Sequence, residues 1–575
     1  MKRLLLLSAL LLACTVNMQA WDIGVNRENK GRRTNWKWRI YTNNCGTTNP
    51  WGPSQLLFVY DAGGGRNISG DIDLAWDLWD TSTHNLDTDQ WAFFWRGQPY
   101  TVLGDGLFKD TNITGVTNMN FTYSSPMIVG GPTTPINIQR IGNECFRNSQ
   151  IRGEVINYTP VSVTSMGDHC FADCHSLSGN LQTPANVSSI PIAAYENCNG
   201  MTGGLHTGPN IRYIEHWAFH NCSNLSGDLT LYEGLITIGS YAFQNCNKLT
   251  GNLYIPNSVS GMGDAAFQNC MGFNGWLDYA DNMPTVPRYT FHNCHNLRGN
   301  IVIPPNVQMI GEYAFTNCWN FDGQLYLQGN VWYIGPHAFE RCDRLTGTVD
   351  LHTVTSLGDH AFTGCASIGS FILSNSLVTV PAGVFQNCVR MTGNINIPNS
   401  VTSIEQEAFR GNTSLNGTLT LSNNLQRIEY AAFWDCQNLR GNLVFPGSLQ
   451  KIGQEAFVNC YHLTGNVKIP AAVREIGYHT FWQCMDLESF TFDSGSQLTT
   501  IGEGAWANCY SLKYIDMLGC QPLTASVISR NVTGSPFTWA YPYTLAYLPN
   551  GTNKSKIRQG DVNFVVDGQC DNFVV

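Results

Sequence analysis

Charge is scarce in this 575-residue chain: Asp, Glu, Lys and Arg make up 13% of it, about half the usual share. Asn, Ser, Thr and Gly take the place of charged surface. The formal charge is −10, and Lys and Arg are not clustered as they must be to displace phosphate counterions, so nucleic acid is excluded as a partner. The longest basic group, Lys30 with Arg32 and Arg33, reads as a solvated face. Beyond the N-terminus no apolar run reaches about 18 residues, so only that end offers an attachment to a bilayer. Cys-x-x-Cys is missing, which removes the usual zinc framework. Asp71 with Asp73, and Asp87 with Asp89, fall short of the ligand count calcium needs. Gly203-Gly204-Leu205-His206-Thr207-Gly208 has no Lys and no following helix, so it reads as a turn and not a phosphate loop. His292 and His295 around Cys294 read as a polar surface feature. No constellation supports catalysis; neither a cofactor nor a metal is expected, and the chain is read as a non-enzyme.

Met1, Lys2 and Arg3 precede an apolar run from Leu4 to Ala13, which is the charged and hydrophobic sequence of a secretory signal assigned to residues 1–20. Two processing sites compete. Leu11-Leu12-Ala13-Cys14 resembles a lipoprotein box that would place a lipid anchor on Cys14, whereas Met18-Gln19-Ala20 suits a general signal peptidase. Secretion or display at the cell surface is expected in either case.

What the chain has in abundance is one pattern. Ala-Phe followed by Asn-Cys returns from Phe171 through Tyr195, Phe219 and Phe243 to Trp506 at steps of 23 to 25 residues, mostly 24. Such a period means a solenoid. Within one coil, Leu253 and Ile255 alternate with Asn252 and Tyr254, as in a strand with one buried face. Pro256 ends that strand, and a second short extended segment carries Val259 and Met262. Gly263, like Gly311, Gly335, Gly453, Gly477 and Gly502, is expected to turn a corner at positive φ. A single helical or 3₁₀ turn is expected at Ala266-Phe267.

The string Leu-Thr-Gly-Asn-Leu-x-Ile-Pro-x-Ser-Val-x-x-Ile-Gly-x-x-Ala-Phe-x-Asn-Cys, almost complete at Leu249–Cys270, Met391–Phe409 and Leu439–Cys460, resembles the BspA-like branch of the leucine-rich repeats. The resemblance covers roughly residues 140 to 518. It implies an α/β solenoid, mostly β, with coils of about 24 residues and parallel sheets, and it implies adhesion to an extracellular or host-surface protein. The chain departs from the pattern at Asn412, where Cys is missing, at Tyr195 and Trp506, and in the coils ending at Cys365 and Cys388, each one residue short.

Around the array of residues 136–518, a cap is expected at 21–135, which holds eight of the 16 tryptophans, and another at 519–575. Degenerate coils show inside the first, where Leu103–Phe108 copies the corner and its aromatic plug. Fourteen of 20 cysteines sit at one repeat position. Stacked coils would hold them parallel, a poor geometry for disulfides, so buried free thiols are expected there, with a bridge between Cys520 and Cys570 considered at the C-terminal end.

Two surfaces compete for recognition. Outward strand positions Asn252, Tyr254, Trp276, Asp278, Asn300, Val302, Gln324 and Tyr326 mix rings with neutral polar groups, an interface-like composition, although the same rings could serve only to stack on neighbours within the sheet. The alternative is a polysaccharide site on the tryptophans of residues 21–135, with the repeats as a stalk.

Overall fold

In a computed structural model of the chain, residues 134–521 are described continuously, together with segments at 38–42, 56–60, 69–73, 94–95, 98–99, 102–103, 108–110, 112–117, 120–123, 540, 544–549, 552, 563–566 and 569–571. The signal region, Cys14 and most of the tryptophans of residues 21–135 lie outside the described residues. Contacts divide the chain into two units, residues 1–273 and 274–575.

Each unit is built as a parallel-strand solenoid, with about 16 turns among the described residues of the two. Each coil contributes two short strands that pair with the same strands of the next coil at a register of about 24 residues. In the first unit Ser189–Ile190, Tyr213–Ile214, Thr237–Ile238 and Gly261–Met262 form one such parallel sheet. Period-two alternation is realised: Leu253 is buried and Tyr254 exposed, and in the second unit Ile301 and Ile303 are buried on either side of Val302.

The helical turn expected at Ala-Phe is not there. That segment is a run of turns, and among the described residues only Val155–Asn157 forms a 3₁₀ helix. The reason lies in its hydrogen bonds. Tyr241, Phe243 and Asn245 donate their N–H groups to carbonyls of Asp264, Ala266 and Gln268 in the next coil, at 2.8–2.9 Å, while Gln244 and Cys246 donate back within their own coil. Alternate donors thus point between coils and within one, which a helix cannot do. The cost is a left-handed backbone at two positions per coil, Tyr241 (φ 60°) and Asn245 (φ 64°).

The corner glycines have a different reason than φ. Gly263 is not among the residues with positive φ; a Cβ there would lie 2.3 Å from the backbone nitrogen of Ser240 in the preceding coil. At Gly263 glycine is needed because the backbone of the preceding coil approaches too closely for a Cβ. Positive φ belongs instead to Gly251 in Leu-Thr-Gly (φ 78°).

The core is a stack of rings. In the first unit Phe108, Phe146, Phe171, Tyr195, Phe219, Phe243 and Phe267 follow at centroid separations of 5.1–5.6 Å, so Phe108 serves as the plug its sequence suggested. In the second, Phe409, Phe433 and Phe457 stack at 5.2 Å. Beside the rings run the thiols. Cys198 donates to the Phe171 carbonyl at 3.0 Å and Cys342 to that of Phe315 at 3.3 Å. The cysteines from Cys145 to Cys520 are buried and in no disulfide, so Cys520 makes no bridge to Cys570, whose side chain lies outside the described ones. Cys145 and Cys170, off the main period, fill the alanine position before Phe146 and Phe171. Burial pushes the Cys222 thiol up to about 12. At the irregular coil, Asn412 Nδ2 donates to the Phe385 carbonyl at 3.0 Å, the role a thiol would play, while its buried Oδ1 meets no partner.

Outside the rings a ladder of side-chain amides ties coil to coil. Asn221 Nδ2 reaches Asn197 Oδ1 at 2.8 Å, Asn245 reaches Asn221 at 2.6 Å and Asn269 reaches Asn245 at 2.7 Å. These are the Asn residues of Asn-Cys, and each chain of amides polarises the next.

The second-strand sheets are interrupted at intervals. One ends at Ser165–Met166, the next starts at Ser189–Ile190; in the second unit one runs from Thr285–Val286 to Ser356–Leu357 and another from Thr379–Val380 to Thr500–Ile501. The first strand of each new sheet is followed by a proline: Pro191, Pro287 and Pro381. Elsewhere this position donates to the preceding coil, as Gly239 does to Ile214 and Gly335 to Ile310 at 2.7 and 2.8 Å. Proline has no N–H to give. The N–H after Pro191 and Pro381 goes instead to a carboxylate, that of Asp168 at 3.2 Å and of Asp359 at 3.1 Å. Gly-Asp accordingly stands one coil ahead of each proline, at Gly167-Asp168, Gly263-Asp264 and Gly358-Asp359.

At the C-terminal end the first-strand sheet continues past the last regular coil. Tyr514–Asp516 pairs in parallel with Leu545–Leu548, that strand with Asn563–Val566, and Gln569–Asp571 folds back antiparallel.

Candidate interaction surface

The eight outward residues fall on both units: Asn252 and Tyr254 on the first, the other six on the second. In the first unit the Tyr254 ring is 37% exposed, yet its hydroxyl donates to Glu233 Oε1, and the same carboxylate accepts from the N–H groups of Asn257 and Ser258 at 3.2 Å each. These donors hold the Glu233 carboxyl below the usual carboxylate range, with the Tyr254 hydroxyl the largest influence. Tyr254 is therefore a brace between coils as well as an exposed ring.

In the second unit the strands bring several candidates together. Leu277–Asp278 lies next to Ile301–Ile303, which pairs with Leu325–Leu327 so that Val302 faces Tyr326 directly. Trp276 is 61% exposed and Tyr326 43%. Asn300 is already engaged within the array, since its Oδ1 accepts the Gln324 N–H at 2.9 Å. Asn180 and Asn394 do the same for Gly204 and Thr418, so the Asn of Leu-Thr-Gly-Asn is a coil-to-coil clamp. The variable groups offered outward are then Trp276, Asp278, Val302, Gln324 and Tyr326.

His292 and His295 are half-buried and packed on rings. His292 meets Tyr289 and Tyr313 edge-on, and His295 stacks on Trp319 at 4.8 Å. Desolvation pushes both imidazoles below their ordinary pKa, which favours the neutral form. No group of three or more His, Cys, Asp or Glu suited to a metal occurs among the described residues. Leu205–His206, read from sequence as a turn, is a strand paired with Leu181–Gln182. Sequence reasoning also missed a corner stack, Tyr289, Tyr313, His337 and His360, at 4.6–5.1 Å. These residues occupy the left-handed position before Ala-Phe or Thr-Phe, and only their shared spacing of 23 or 24 residues could have revealed them.

Among the described residues no helix is long and apolar enough to cross a membrane. No curated protein matches the sequence. Solved structures do: a leucine-rich repeat protein from Bacteroides ovatus is 20% identical, with 79% of this chain and 94% of that one covered at a TM-score of 0.49. A leucine-rich cell surface protein from Faecalibacterium prausnitzii is 18% identical, covering 71% and 93%, at 0.33. The pneumococcal vaccine antigen PcpA is 13% identical, covering 93% and 98%, at 0.32. The model of the BspA-type leucine-rich repeat region matches residues 139–274, 275–392 and 390–513. With well over half its length matched, built of coils whose rings, thiols and amides repeat at one period, this chain belongs to the BspA-type leucine-rich repeat family.

Proposed function

We propose that the chain is an exported, non-enzymatic binding protein whose first-strand sheet holds an extracellular or host-surface protein. The observation that carries this reading is the contrast along one strand row: Leu277, Ile301 and Leu325 are buried, while Trp276 and Tyr326 are large rings turned outward with Val302 and Asp278 beside them. Exposed rings such as these supply contact area at little conformational cost. Export rests on the charged and apolar N-terminal sequence.

The test is binding of purified residues 21–575 to a panel of extracellular-matrix proteins and polysaccharides, compared with a variant carrying Trp276→Ser and Tyr326→Ser. Both rings are exposed, and Tyr254, which braces Glu233, is left in place, so an unchanged far-UV spectrum and melting curve are expected. Affinity for a protein ligand should fall at least about tenfold; full retention would dismiss this face. Polysaccharide binding that disappears on deleting residues 21–135 would transfer recognition to the tryptophans there.

A further inference from the structure

The sheet interruption at Pro381 opens a cleft of about 570 Å³ on the second-strand face of the second unit, away from the row of Trp276 and Tyr326. Its origin is chemical. Among the described residues no ladder joins Ser356–Leu357 to Thr379–Val380, and Pro381 cannot give the Leu357 carbonyl the hydrogen bond that Gly335 gives Ile310. Among the described residues no backbone N–H reaches the Leu357 carbonyl, and Leu357 and Leu377 both line the cleft.

The walls add acceptors and no cation. Asp359, Glu405 and Glu429 line the cleft, and no Lys, Arg or His does. Asp359 accepts only the Ala382 N–H, at 3.1 Å, and has no ion pair among the described residues. Glu405 accepts from Ser403 Oγ at 2.6 Å and lies 3.9 Å from Arg427, which comes within 3.4 Å of Glu429. Lys451 pairs with Glu429 at 2.7 Å. Both bases stand outside the lining, so Asp359 is uncompensated and Glu405 only loosely paired. Val378, 58% exposed, forms an apolar lip.

A site with an apolar lip, a backbone carbonyl without its usual donor and carboxylates from three coils is complementary to a planar group with several N–H donors on an aliphatic stem. We infer that this cleft docks an arginine side chain presented by an extended segment of a partner protein. The cleft is independent of the Trp276 row, which lies on the other strand set.

The probe is fluorescein-labelled Val-Arg-Val-amide, titrated with the full chain by anisotropy against the same peptide carrying citrulline, its uncharged analogue. The arginine peptide should bind at least about tenfold more tightly, with a difference that shrinks as salt rises. Asp359→Asn with Glu405→Gln should erase that difference, and Pro381→Gly should weaken binding by restoring an N–H to the Leu357 carbonyl. Glu488→Gln, which touches only the exposed pair with Lys513, should leave it unchanged. Equal affinity for the two peptides on the wild-type chain, undetectable binding, or an unaltered preference in the folded double variant would each overturn the proposal. The peptide comparison needs no variant to fold, and its result does not depend on the outcome for Trp276 and Tyr326.

Discussion

Replacing Gly477 by alanine should destabilise the array, although alanine is ordinarily the better residue. At this corner a Cβ would stand 2.2 Å from the nitrogen and 2.4 Å from the Cα of Gln454 in the preceding coil, about 1 Å inside van der Waals contact. Both neighbours are backbone, so the coils must separate. Overpacking of this kind costs about 1–3 kcal/mol. Separation also weakens the bond from Gly477 to the Ile452 carbonyl, now 2.9 Å, for about 1 kcal/mol more. Against this, alanine restricts the unfolded chain and returns about 0.4–1 kcal/mol. The net expectation is a loss of about 1–3 kcal/mol. Gly447→Ala is the matched control: that residue is exposed, has no atom within 4 Å of the added carbon and is outside the left-handed region, so only the favourable term remains. Because repeat arrays need not unfold in one step, the assay is amide exchange at Ile452 and Ile476, whose strands pair, supported by denaturant midpoints. Faster exchange in Gly477→Ala with none in Gly447→Ala is expected. If both variants shifted stability equally, close approach would not be why glycine is there.

Other perturbations test the packed ladders. Asn412→Cys should stabilise by about 1 kcal/mol, since it removes a buried, unpartnered Oδ1 and keeps a donor for the Phe385 carbonyl; urea midpoints would show it. The buried thiols make stability fall in alkali: folding raises the Cys174, Cys222 and Cys509 thiols from 9 to about 12, so the unfolded chain loses protons first. The contribution is complete below pH 9 and is lost above it, at about 1.4 kcal/mol per pH unit for each thiol. Native protein should also resist thiol reagents that label the urea-unfolded chain. His479, buried against Tyr478 and Trp482, titrates near 4 because desolvation disfavours its cation. Its neutral form stabilises fully above the ordinary 6.5 and that stability fades as pH falls toward 4, so His479→Phe should flatten the acid limb of a stability profile between those values.

One period determined most of this architecture from the sequence alone. A side chain recurring every 24 residues must meet its own copies, so Phe219 on Tyr195 and Cys198 under Phe171 follow from spacing and apolarity without any coordinates. Period-two alternation likewise placed Leu253 inside and Tyr254 outside, because successive strand residues have only two faces to choose between. What spacing could not supply was the separation of backbones. Gly263 and Gly251 look alike in a string of letters, yet one answers to a neighbouring nitrogen and the other to its own φ. Sequence also could not tell which outward residues brace neighbouring coils: Asn300 bonds to Gln324 and Tyr254 to Glu233; nor could it tell how far Trp276 and Tyr326 are exposed. The sheet break at Pro381 was legible in principle, as proline at a corner where most coils carry glycine or glutamate and where Pro191 and Pro287 mark two other breaks. Its meaning emerged only when Leu357, Asp359 and Glu405, separated along the chain, were brought to one place. Local chemistry repeats along the chain and can be read there; a surface such as this cleft is lined by groups from neighbouring coils, two dozen or more residues apart in sequence, which only the stacked structure brings together.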